Sequence, residues 1–218
     1  MVKLTLIVEG GVYTENVSAE TANNAEALRE SLYKFFTRLL GRDDVEITIF
    51  MGKGYRNATK LFIETSTTIG LFVDSDLPPK NKHLWFNKLT NSEHPEKTII
   101  IPEGKREAVF FMIQEMEAWF LKQPYCLDEW AQKEGYTKKD STNIAGHSIL
   151  KNKDVEEISK PSEKLKIIMK RFFINIKNKK SARYGKLKTA PVLLDALDVT
   201  ALKALDNELQ RFCLFINN

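Results

Sequence analysis

Val2-Lys-Leu-Thr-Leu-Ile-Val-Glu-Gly-Gly11 begins with seven residues that carry one charge and ends on a carboxylate and two glycines. A short, nearly continuous apolar run suits a strand covered on both faces. Working outward, Ala19 to Leu40 reads as an amphipathic helix. Leu28, Leu32, Phe35, Phe36 and Leu39 fall at helical spacing, and Gly41 stops it. Val45 to Met51 is a second strand that ends at Gly52-Lys53-Gly54, and Arg56 to Glu64 is a short helix. Gly70 to Val73 is a third strand. It runs into Asp74-Ser75-Asp76 and is stopped by Leu77-Pro78-Pro79. A fourth strand is expected at Thr98–Ile101, closed by Pro102, and a helix over Ala108–Leu121.

Alternating strands and helices predict an α/β fold: a Rossmann-like, mostly parallel sheet of about four strands flanked by helices. This core is expected over residues 1–122. Residues 123–218 read as a mainly helical, basic extension packed on it, with loop-like stretches at 133–152 and 175–188. A last helix carries Leu202, Leu205, Leu209, Phe212 and Phe215, which either pack internally or form a homodimer seam.

The 218 residues include 33 Lys+Arg, 29 Asp+Glu and 3 His, for a net charge of +4. With 43% apolar and 28% charged residues the chain is globular in composition rather than disordered. No run approaches the ~18 apolar residues of a membrane span. The first residues lack the build of a signal peptide. Cys126 and Cys213 are the only cysteines, too few for a disulfide framework or a zinc site, so a cytoplasmic setting is expected. His83, His94 and His147 are scattered, without metal-ligand spacing, and read as surface residues. No Walker loop, nucleophile elbow or serine triad is present, so ATP hydrolysis by this chain is not expected.

Three carboxylates follow predicted strands: Glu9 after the first, Asp74 and Asp76 after the third. In a parallel sheet these ends share the carboxyl edge, where ligands gather. Carboxylates two apart at a strand exit can both turn to one cation. Mg²⁺ or Mn²⁺ suits such hard oxygens, and a cation so held polarises a phosphate. Gly10 and Gly11 would let backbone approach that phosphate.

The predicted Ala108–Leu121 helix has only Gln114, Glu115 and Glu117 as polar residues. A helix apolar nearly all round is buried. Gln114 and Glu117 would lie about 60° apart on it. Glu117 either joins the acidic centre, directly or through water, or pairs with an Arg at the edge of the core or caps a backbone group. Trp119 and Phe120 read as core.

Lys164 to Lys188 holds ten Lys/Arg and no Asp/Glu. The whole chain carries +4 and this segment +10, which leaves −6 for the remainder. Such a block suits a polyanion, through counterion release at each phosphate. Lys179, Lys180, Arg183, Tyr184, Lys186 and Lys188 are the phosphate-binding candidates, with Tyr184 stacking on a base or holding a phosphate. Lys53, Arg56 and Lys60 follow the second strand. They either steady a phosphate at the same edge or belong to an ordinary strand-to-helix turn.

Leu4-Thr-Leu-Ile-Val-Glu-Gly10 followed by Leu71-Phe-Val-Asp-Ser-Asp76 resembles the Toprim domain, which carries Glu-Gly after its first strand and Asp-x-Asp after its third. That domain occurs in topoisomerases, bacterial primases, recombination proteins, small ribonucleases and OLD-type nucleases. The chain is also similar, over nearly all its length, to a bacterial Toprim-like family of unknown function related to the OLD-type nucleases. The shared segments are Val8-Glu-Gly-Gly11, Val73-Asp-Ser-Asp76, Met116-Glu-Ala-Trp-Phe-Leu121 and Arg183-Tyr-Gly-Lys186. Many OLD-like domains have another acidic residue four positions after the Glu. Here that position is Tyr13, with Glu15 the nearest carboxylate.

The resemblance implies a Mg²⁺- or Mn²⁺-dependent nuclease cleaving phosphodiesters in DNA or RNA, working with an ABC- or SMC-like ATPase in anti-phage defence. Glu9 would act as acid/base or metal ligand, Asp74 and Asp76 would hold metal, and Glu117 would support them. The alternative is a non-catalytic subunit that binds nucleic acid or the ATPase on a Toprim scaffold.

Overall fold

A computed structural model describes residues 1–10, 18–65 and 69–217. Gly11, Tyr13 and Glu15 lie outside the described residues. β1 (Val2–Val8), α1 (Ala19–Leu40), β2 (Val45–Met51), α2 (Tyr55–Glu64), β3 (Ile69–Asp74) and β4 (Val109–Met112) build the sheet and its first two helices. All pairings are parallel, and the order is β2-β1-β3-β4.

Side-chain alternation sorts the sheet into two apolar layers. Leu4, Leu6, Val8, Phe72, Phe110 and Met112 face one cluster, with α1 and the C-terminal helices. Ile7, Leu71, Val73, Val109 and Phe111 face the other, with α2 and the 75–108 crossover. β1, β3 and β4 are therefore apolar on both faces. β2 alternates instead, with Ile47 and Ile49 buried and Glu46, Thr48 and Phe50 exposed.

Local chemistry sets the ends of α1. Ser18 caps its N-terminus by accepting from the Thr21 N–H at 3.2 Å. Gly41 adopts φ +58, and its N–H closes on the Thr37 carbonyl at 3.0 Å. Gly52 lets α2 approach the β2 exit, because a Cβ there would lie 2.3 Å from the Cβ of Ala58.

Two expectations near β4 are corrected. Thr98–Ile101 forms no strand; it lies in the 75–108 crossover, which carries four short 3₁₀ segments, and Ile100 is 74% exposed. The fourth strand is Val109–Met112, inside the segment read as the Ala108–Leu121 helix. A short apolar run does not itself distinguish a buried strand from a buried helix. These four residues are all buried, and they bond to β3 on one side. Of the expected helix only Glu117–Leu121 is α-helical, within α3 (Glu117–Lys122), so the 60° relation of Gln114 to Glu117 does not hold.

The rest of the chain comprises α4 (Cys126–Lys133), β5 (Tyr136–Lys138), α5 (Pro161–Phe172), β6 (Phe173–Asn175), α6 (Lys186–Ala196), α7 (Val199–Ala204) and α8 (Asn207–Asn217). β5 and β6 pair antiparallel. The expected last helix is two, broken at Leu205–Asp206, where Asp206 accepts from the N–H groups of Glu208 and Leu209 at 3.1 and 3.0 Å. Leu205 points to solvent, while Leu202, Leu209 and Phe212 are buried. The Phe212 ring sits 5.0 Å from that of Phe72 and 5.2 Å from that of Phe110.

α8 also finishes the edge of the sheet. Glu208 accepts from the Phe111 N–H at 3.1 Å, and Arg211 donates to the carbonyls of Glu107 and Val109. Backbone groups of the edge strand are thereby satisfied by side chains instead of a further strand. No helix among the described residues is long and apolar enough to cross a membrane.

Candidate active site at the carboxyl edge of the sheet

With β4 correctly placed, three carboxylates mark three strand exits. Glu9 follows β1, Asp74 ends β3, and Glu117 opens α3 just after β4. Each is held from the backbone or a neighbour. Glu9 Oε2 accepts from the Asp74 N–H at 2.9 Å. Asp74 Oδ1 accepts from the Met116 N–H at 3.0 Å. Glu117 Oε1 accepts from the Tyr184 hydroxyl at 2.7 Å.

The second oxygens of Asp74 and Glu117 converge on one ammonium. Lys186 Nζ lies 3.6 Å from Asp74 Oδ2 and 3.9 Å from Glu117 Oε2. These groups line a cavity of about 290 Å³ with Glu115, Ser162, Lys166 and Gly185. Glu115 is fixed by the Ser162 N–H at the start of α5, at 2.6 Å. Lys186 is the first residue of α6, and Lys166 lies on α5, so the basic segment reaches the acidic edge directly.

The electrostatics are opposed. Burial raises the Asp74 carboxyl to about 7; Lys186 lowers it, while Glu9 and Glu117 push it further up. Burial likewise raises Glu9, against the Asp74 N–H, Lys88 and Lys186. For Lys186 burial alone favours the neutral amine, but Asp74, Glu117, Glu9 and Glu115 together outweigh it and hold the ammonium above its ordinary range. The two partners thus differ: Lys186 gains more from the pair than burial removes, and Asp74 gains less. Three carboxylates against one close ammonium explain the asymmetry, and the cluster retains a proton near neutrality. Burial and Glu117 push the Tyr184 hydroxyl well above its usual range, so it stays a hydrogen-bond donor.

Asp76 is not in this cluster. Its carboxylate pairs with Lys88, a residue of the crossover, and its side chain is 52% exposed. Tyr184 is buried beside the cavity, and its hydroxyl is committed to Glu117. Arg56 spends its guanidinium on the carbonyls of Lys88, Leu89 and Lys97, which commits it to holding the crossover and not to a phosphate. Gly10 is buried, and its missing side chain leaves room for the Met51 methyl, 2.5 Å from where a Cβ would stand. The Lys53 N–H donates to the Gly10 carbonyl at 3.0 Å, linking the β1 and β2 exits. Lys60 is exposed on α2. Lys179 and Lys180 lie on the exposed turn after β6; Arg183 and Lys188 are exposed on either side of Tyr184–Lys186. His83 and His94 are exposed, and His147 is half-buried with its ring 5.7 Å from that of Phe172.

Lys88 and Ser162 are site neighbours that no sequence pattern marks; Lys88 sits in a Lys- and Asn-containing stretch with no periodicity. Among the described residues no three His, Cys, Asp or Glu side chains form a ready-made metal cage. The donors fit Mg²⁺ or Mn²⁺ in kind, however: two carboxylate oxygens face one cavity, and such ions take one or two carboxylates and keep several waters. No family model, curated protein or solved structure matches this chain.

Proposed function

We propose that this chain is a metal-dependent nuclease acting on DNA or RNA at the cavity bounded by Asp74, Glu117 and Lys186. The observation that carries the reading is that Lys186, a member of the basic segment, also closes the acidic cluster. Phosphate-binding charge and metal-type donors then belong to one site. Asp74 and Glu117, with Glu9 beside them, would hold Mg²⁺ or Mn²⁺. Such a cation, when bound, supplies charge that polarises the phosphodiester and acidifies an attacking water.

The chain's own groups divide the remaining work. Lys186 and Lys166 bind and orient the scissile phosphate from the α5–α6 side of the cavity. Tyr184 fixes Glu117 by donating to Oε1, which leaves Oε2 turned to the cavity. Glu9, held through Oε2 by the Asp74 N–H, would serve beside Asp74 and Glu117 as acid/base or as a further metal ligand. The exposed Lys179, Lys180, Arg183 and Lys188 extend the phosphate track without reading bases.

The test is cleavage of single-stranded DNA, plasmid DNA and tRNA with Mg²⁺ or Mn²⁺. Wild type is expected to cleave, a chelator to stop it, and Asp74→Ala to lose roughly a hundredfold or more, the scale of an essential electrostatic group. Absence of both cleavage and metal binding by the wild type sinks the reading. In that case the non-catalytic subunit gains, which internal neutralisation of Asp76 by Lys88 and of Asp74 by Lys186 already favours. An ABC- or SMC-like ATPase partner is part of the same proposal and is checked by co-purification.

A further inference from the structure

We infer that Lys88 is a positioning residue that holds the Asp76 carboxylate off the acidic edge, so that a divalent cation recruits Asp76 only by displacing this ammonium. The inference rests on the metal-dependent reading above and adds a device to it. It starts from the backbone. Asp76 adopts φ +53, a left-handed conformation that Asp tolerates better than most residues. Its N–H is bonded to the Gln114 carbonyl at 2.8 Å, and the preceding Ser75 N–H to the Met112 carbonyl at 3.0 Å. Gln114 is itself at φ +63, and its N–H donates to Ser75 Oγ at 2.8 Å. The exits of β3 and β4 are thus laced together. Only the side-chain torsions of Asp76 are free to re-aim the carboxylate, and strained backbone of this kind gathers at functional sites.

Lys88 is held as firmly. Arg56 Nη1 donates to the carbonyls of Lys88 and Leu89, each at 3.1 Å, and Leu89 is buried. The Lys88 ammonium lies 4.9 Å above the Tyr55 ring and donates to the Asp74 carbonyl at 3.1 Å. Tyr55 belongs to α2, Asp74 to β3, and Arg56 is anchored in α2. Neighbours on two elements therefore aim one crossover ammonium at one carboxylate. Asp76 has two alternatives, the Lys88 ion pair or a cation beside Asp74, and Lys88 biases the choice.

The test is manganese affinity by titration calorimetry on wild type, Lys88→Gln, Asp76→Asn and the double variant. Gln keeps a donor for the Asp74 carbonyl while removing the charge. Lys88→Met is the substitute if circular dichroism shows that Gln does not fold. Release of a half-exposed ion pair is expected to tighten Mn²⁺ binding about fivefold in Lys88→Gln. The same change is expected to give under about twofold in the Asp76→Asn background, because coupled residues are non-additive. Unchanged or weaker binding in Lys88→Gln overturns the lock. An equal gain in both backgrounds also overturns it, because the gain would then be mere removal of a nearby positive charge. Failure of the parent reading looks different: no Mn²⁺ binding by any of the four proteins.

Discussion

Asp74 answers two opposed demands, since its carboxylate caps the Met116 N–H and faces the cavity, yet lies almost wholly out of water. Burial raises it to about 7, above the usual carboxylate range. The folded chain therefore holds a proton that the unfolded chain releases. Stability from this group is complete at acid pH and is lost as pH rises from about 4 through 7. At about 1.4 kcal/mol per pH unit, the loss amounts to a few kcal/mol. Asp74→Asn removes it. Urea unfolding at pH 5 and pH 8 is expected to show wild type losing more stability towards pH 8 than Asp74→Asn does. Parallel losses in the two proteins would refute the assignment.

At the same scale, legibility is uneven. Glu9 and Asp74 are readable because a carboxylate directly after an apolar run is a strand-exit signal. Glu117 stands out in the sequence as a costly buried charge, and it is buried, but its position after a strand is hidden by the helix reading. Lys88 and the tie between Glu115 and Ser162 depend on distant segments meeting, which no local pattern encodes.

Among the elements, β1, α1, β2 and β3 are legible almost to the residue, because each has an apolar run or face and a clear stop such as Gly41 or Gly52. β4 is not. Val109-Phe-Phe-Met112 is apolar at every position, so its pattern carries no period, and what decides its state is the ladder that β3 offers beside it. The break between α7 and α8 is likewise concealed, since Asp206 makes a helix cap only by its own side-chain bonds. The edge contact of α8 yields a prediction. Glu208→Ala leaves the buried Phe111 N–H without its acceptor and removes a partner of Arg211 and Lys82. A cost of about 2–4 kcal/mol in chemical unfolding is expected, from an orphaned buried donor and a broken ion pair. A loss below about 0.5 kcal/mol, the scale of an ordinary surface change, would mean that water serves β4 equally well.

For the whole molecule, charge separation is the property that matters. The +10 segment reaches the carboxyl edge at Lys166 and Lys186, while Lys179, Lys180, Arg183 and Lys188 remain exposed. Binding of a single-stranded oligonucleotide, followed by anisotropy in chelator, should weaken linearly on a logarithmic salt scale. Replacing those four by Gln should lower the slope by about 0.7 for each phosphate of a single strand that is no longer neutralised. An unchanged slope would move the nucleic-acid path elsewhere.

The sealed edge has one further consequence, for how copies of this chain can join. Among the described residues β2 has a strand neighbour on one side, and β4 is closed by side chains of α8. Among the described residues the four-stranded sheet therefore offers one open margin for backbone pairing, at β2. Two molecules joined β2 to β2 across a two-fold axis would form one eight-stranded sheet whose outer margins are both closed, so association by this route terminates at two.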